Sequence, residues 1–140
     1  MASNNGGVTA SIGLLVLRVG MAGLLLCAHG WTKITHFAGM AKSFPDPLHV
    51  GSTMSFWLVV LAEVLCTTLL ALGLFSRAAV IPIIGFLSVA FFIHHAHDPW
   101  NKREMAIVYL VPFVALFFTG PGNFALDAWI RVKIATKGGD

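Results

Sequence analysis

Seven side chains of this sequence combine chemistry suited to proton or electron handling with a place in or beside an apolar run: Arg18, His29, Lys33, Glu63, His94, Trp100 and Tyr109. An ionised group at membrane depth costs at least ~2.5 kcal/mol, so it turns towards protein or a wet cavity and takes a partner there. Counting the helical rise from the histidine-rich end puts Arg18 roughly 17 Å down its helix and Glu63 roughly 13 Å down the next. A long arginine side chain covers that difference, and an Arg18–Glu63 ion pair is expected. Such a pair either poises Glu63 for proton transfer or fixes helix register alone.

A quinone or another amphipathic redox molecule suits the same residues. A ring carbonyl needs a donor such as His29 or Arg18, a titratable group such as Glu63 or His94 can relay protons, and Trp31, Trp100 or Tyr109 can flank the ring. Glu63 and His29 are therefore the candidate catalytic residues. Arg18, Lys33, His94, Trp100 and Tyr109 are the candidate cofactor-binding residues. The tryptophans also fit an ordinary interfacial belt, whereas Tyr109, the only tyrosine, needs a partner for its hydroxyl if it faces protein.

His29, His94, His95, His97 and His49, with Glu104, offer imidazoles and a carboxylate of the kind that bind metal. Neighbouring residues on a helix point in different directions, however, and interfacial histidines are commonly just solvated. No metal is expected. Cys27 and Cys66 form no CxxC pair, and their depths in the two helices differ too much for a disulfide. No nucleotide-binding glycine motif, CxxCH or iron–sulfur cysteine set is present, so electron transfer needs a diffusible or borrowed cofactor.

The elements that must hold these residues are membrane helices. Of 140 residues, 57% are hydrophobic and only 11% charged, and the mean hydropathy is +0.83; soluble domains carry roughly 25% charged residues. The nine basic residues are scattered between apolar runs and form no stripe that tracks phosphates, so nucleic acid is not an expected partner. The start, MASNNGG, lacks the basic residues of a cleavable signal, and the first apolar run is expected to stay as a membrane helix.

The pattern predicts an all-α fold, an integral membrane four-helix bundle forming a single domain over 1–140. Its spans fall near 12–30, 54–75, 78–94 and 104–119, followed by an amphipathic tail at 123–140. Polar residues from Thr32 to Thr53 read as a long loop with a short interfacial helix. Gly13, Gly20, Gly23, Cys27 and Gly30 form a seam of small residues suited to helix packing. Four crossings place both termini on one side and all six histidines on the other. Lys and Arg are evenly divided between the two sides, and the termini are assigned to the cytoplasm.

LRVGMAGLLLCAHGWTKI, AEVLCTTLLALGLFSR, the third-span histidine with a later E-x4-Y, and GPGNFALD, in that order, resemble the DoxX family of small membrane proteins. The likeness runs from Leu17 to Asp127 and matches the polar positions Arg18, His29, Lys33, Glu63, Arg77 and Asp127. It implies a bacterial cytoplasmic-membrane protein of the broad oxidoreductase class, working with quinone and a soluble redox enzyme. HHAHD at the third-span exit and the long first loop depart from the family pattern. The function expected is a quinone-linked oxidoreductase component embedded in the lipid bilayer, with homo-oligomer formation also open. The alternative is a non-enzymatic scaffold or small-molecule carrier.

Overall fold

A computed structural model describes residues 5–137, and no strand occurs among them. Helix α1 spans Gly6–Thr35, α2 is the short Phe37–Met40, α3 spans Ser52–Leu72 and α4 Ser76–His94. Helix α5 is Trp100–Thr119 and α6 is Leu126–Lys137. The expected features at residues 1–4 and 138–140 lie outside the described residues.

Helices α1, α3 and α4 are long and apolar enough to cross a membrane. Helix α5 carries Lys102, Arg103 and Glu104 near its start, which shortens its apolar stretch. All four long helices contribute to one core. Leu25 comes from α1, Cys66 and Leu70 from α3, Val80 and Ile83 from α4, and Phe113 and Leu116 from α5.

Helix α1 is longer at both ends than the 12–30 span expected from sequence. No helix breaker separates Gly6 from Ile12, and Gly30 does not end the helix. Gly30 keeps right-handed helical dihedrals (φ −68°). Its missing side chain serves a close approach instead: a Cβ there would lie 3.0 Å from the Glu63 carbonyl oxygen and 3.3 Å from the Val64 side chain.

The remaining small-residue seam has no such use among the described residues. Nothing lies within 4 Å of where a Cβ on Gly13, Gly20 or Gly23 would sit, and Cys27 is exposed. The packed side of α1 carries Ser11, Arg18, Ala22 and Leu25, all buried. The seam was read from small size alone, whereas packing follows the face that also bears a large buried side chain.

Helix α3 ends where Gly73 adopts a left-handed conformation (φ 75°). Gly73 N–H donates to the Leu70 carbonyl at 3.0 Å and Leu74 N–H to Leu69 at 2.9 Å, the paired bonds that close a helix C-terminus. Three stretches open into wider π-helical turns: Leu26–Gly30, Leu61–Cys66 and Ala90–His94. They contain His29, Glu63 and His94 respectively. Such local rewinding often accompanies functional positions in helices.

Candidate functional site

The positions singled out by sequence separate into three places. At the first, Lys33 Nζ lies 2.5 Å from Glu63 Oε2, and the two side chains are only 11% and 2% exposed. Lys33 also donates to the His29 carbonyl one turn earlier, at 3.3 Å. The His29 ring meets Tyr109 edge-on, with centroids 5.8 Å apart, and Tyr109 is buried. The Thr67 hydroxyl donates to the Glu63 carbonyl, supporting the backbone beneath the carboxylate. His29, Lys33, Glu63 and Tyr109 thus meet where α1, α3 and α5 converge.

Arg18 is not part of that cluster, and the expected Arg18–Glu63 pair is replaced by Lys33–Glu63. Gly30 packs against Glu63, so Arg18, twelve residues earlier, sits about 18 Å further along α1. Side chains also lean towards the N-terminus of their own helix. In the antiparallel α1 and α3, Lys33 and Glu63 lean towards one another, while Arg18 leans away.

Arg18 occupies the second place. Although only 1% exposed, it donates from Nη1 to the Pro121 carbonyl at 3.3 Å and from Nη2 to the Phe124 carbonyl at 3.2 Å. Asp127 supplies the counter-charge acting on it. The Asp127 carboxylate accepts from Phe75 N–H at 2.9 Å, Ser76 N–H at 3.0 Å and the Ser76 hydroxyl at 3.1 Å. A residue distant in sequence thereby caps the start of α4, whose first N–H groups have no acceptor within the helix.

Burial pushes the Asp127 carboxyl upwards, but these bonds and nearby Arg131 outweigh it and hold the group below the usual carboxylate range. Gly73 completes the arrangement. A Cβ on it would lie 2.3 Å from Arg18 Nη1 and 2.7 Å from Ala125 Cβ. Of the polar motif positions, Arg18 and Asp127 belong to this structural junction and His29, Lys33 and Glu63 to the Lys33–Glu63 cluster, while Arg77 lines a separate cleft beside the junction.

The third place is a cavity of about 380 Å³ between the first loop, α3 and α4, lined by Phe44, Leu58, Val59, Phe86, Val89 and His94 among others. His94 is its ionisable residue, with its ring 4.5 Å from that of His95. Leu61 borders this cavity, while Glu63, roughly 200° further around the helix, faces α1. His94 is thus separated from the Lys33–Glu63 cluster, which borders neither described cavity. Trp100 is exposed and meets Phe91 edge-on at 6.4 Å. Among the described residues no three His, Cys, Asp or Glu side chains gather as a metal donor set.

Sequence reasoning missed the part that roofs the cavity. Asp46 accepts from Val50 N–H at 3.0 Å, Gly51 N–H at 2.7 Å and the Ser55 hydroxyl at 2.7 Å, tying the loop to the start of α3. The Ser55 bond first, then the two N–H groups, hold its carboxyl below the usual range. Phe37 and Phe44 stack edge-on against Phe56 at 5.1 and 5.2 Å. The signal was present as an aspartate between two prolines just ahead of a helix start.

An uncharacterized protein of Haemophilus influenzae is 25% identical over 138 residues, covering 94% of this chain and 91% of its own length. No solved structure matches the chain. The DoxX family model matches residues 13–96, which include most of α1, all of α3 and α4, and the side chains of His29, Lys33, Glu63 and His94. With more than half of its length matched, this chain belongs to the DoxX family.

Proposed function

We propose that the protein is a quinone-linked component of a bacterial cytoplasmic-membrane redox system, exchanging electrons with a soluble redox enzyme. In this reading α5 is the fourth crossing and both termini lie on one side. The observation that carries it is the apolar cavity with a single ionisable side chain, His94, at its edge. Ligand pockets combine this apolar lining with few polar groups, and about 380 Å³ lies in the range that takes a ring-sized ligand.

The residues fit a quinone in two separate respects. His94 would hold a ring carbonyl, and Phe44 and Phe86 would flank the ring. A bound quinone supplies reversible two-electron, two-proton chemistry. Glu63, paired with Lys33, is the proton-holding group on the opposite face of α3, with His29 and Tyr109 beside it. Lys33, a candidate cofactor-binding residue by sequence, is already engaged by Glu63, and the ring carbonyl falls to His94.

The test is quinone reduction by the purified protein with a soluble electron donor supplied, above the donor's own rate without protein, compared with Glu63→Gln and His94→Leu. Loss of turnover in Glu63→Gln with quinone still bound supports the division of roles. Unchanged turnover in both variants removes them from the mechanism. The direct closure of Lys33 on Glu63 away from either described cavity favours a second reading, a non-enzymatic scaffold in which the pair only fixes helix register.

A further inference from the structure

A second cleft, of about 790 Å³, lies between the start of α4, the turn after α5 and α6. Arg77 and Arg131 both line it, together with Thr119, Gly120, Asn123 and Asp127. Among the described residues Arg77 makes no hydrogen bond or ion pair. Its Nη2 and Nε lie 3.7 and 3.8 Å from where a Cβ on Gly120 would stand, so the guanidinium runs alongside the turn at ordinary contact distance. Arg131 commits only Nε, to the Asp127 carbonyl at 3.3 Å. The Asp127 carboxylate is already engaged by Phe75 and Ser76. Two guanidinium groups with unused donors therefore face one space that contains one occupied carboxylate.

The rim of the cleft is apolar. Phe75 is 71% exposed and lines it, and Phe118 beside Thr119 is 73% exposed. Helix α6 continues this surface with exposed Trp129, Ile130, Val132 and Ile134. Lys133 Nζ sits 4.0 Å over the Trp129 ring, keeping a cation among these apolar groups. A helix with exposed apolar residues and cations, directly following membrane helices, suits the headgroup boundary.

We propose that the Arg77/Arg131 cleft binds the phosphate of an anionic phospholipid. Arginine forks recognise phosphate oxygens through paired hydrogen bonds. Phe75, Phe118 and α6 would meet the acyl chains, which a free phosphate lacks. The site rests on the membrane placement of the chain and is independent of the quinone reading, since it shares no residue with His94 or Glu63.

The experiment is native mass spectrometry of the detergent-purified full chain with phosphatidylglycerol, phosphatidylcholine or inorganic phosphate added. The wild type is expected to retain phosphatidylglycerol about tenfold more tightly than phosphatidylcholine, with Arg77→Gln and Arg131→Gln each weakening it about tenfold. Arg77→Lys, which keeps the charge but loses the fork, is expected to weaken retention relative to wild type and by no more than Arg77→Gln; retention equal to wild type overturns the fork-based recognition. Circular dichroism confirms folding of each variant. Equal retention of the two lipids, or retention unchanged in both glutamine variants, overturns the proposal. Displacement of phosphatidylglycerol by millimolar inorganic phosphate assigns the cleft to a soluble anion and overturns the lipid assignment.

Discussion

Lys33 reaches Glu63 across the α1–α3 contact at 2.5 Å, with both side chains nearly removed from solvent. The meeting follows from backbone direction. The two helices run antiparallel, and each side chain leans towards its own N-terminus, so these two converge while Arg18 diverges towards Pro121 and Phe124.

Breaking one half of this pair should cost more than removing both. Lys33→Met leaves the Glu63 carboxylate buried without its cation, a loss of about 3–5 kcal/mol, whereas a double Lys33→Met/Glu63→Leu variant recovers much of it. Unfolding in mild detergent by denaturant titration measures both. Equal destabilisation by the single and double variants would show that the two side chains are not energetically coupled.

The sequence made the helical architecture readable because apolar runs of about twenty residues admit few other structures in lipid. It also identified Glu63 and Arg18 as buried charges that must find partners. It could not assign those partners, because rise per residue gives depth while saying nothing of where neighbouring helices come level. Gly30 set that level by its contact with Glu63, after seeming to mark a helix end. The π-helical turns at His29, Glu63 and His94 have no period-based signature. Likewise Asp127 is simply an acidic residue in the tail until folding brings it to Phe75 and Ser76.

Asp127 makes a pH-dependent contribution. Its folded carboxyl is held below the usual range, so its stabilisation is present above the ordinary value of about 3.9. That stabilisation is lost as pH falls through the lower folded value. Asp127→Asn should be less stable than wild type by about 1 kcal/mol near neutral pH, with the gap narrowing below about pH 4. Thermal unfolding across pH 3–7 checks this, and a gap that widens on acidification would refute it.

Gly73→Ala should be severely destabilising. Its left-handed backbone costs a side chain about 1–3 kcal/mol, and the clash with Arg18 and Ala125 adds about 1–3 kcal/mol. Protease sensitivity of the 120–127 segment should rise in step with lost thermal stability. Wild-type behaviour in both measurements would mean that the junction can repack without cost.

Asp46 holds the cavity roof, so Asp46→Ala should free the loop over 44–51 without disturbing α1. Hydrogen–deuterium exchange should accelerate at Val50 and Gly51, the two N–H groups that the carboxylate accepts from. Exchange at these amides equal to wild type would show that the prolines and aromatic contacts suffice to hold the loop.

The most direct measurement is the quinone content of purified protein beside a variant whose cavity is filled. Gly85 lines the cavity, and a Cβ there meets nothing within 4 Å, so the backbone accepts a side chain at this position and Gly85→Phe is the filling variant, with circular dichroism confirming its helix content. Quinone extracted from the membrane-purified wild type should approach about one molecule per chain and fall at least tenfold in Gly85→Phe. A wild type that retains no quinone after saturation with it, or a filled variant that retains as much, contradicts the account.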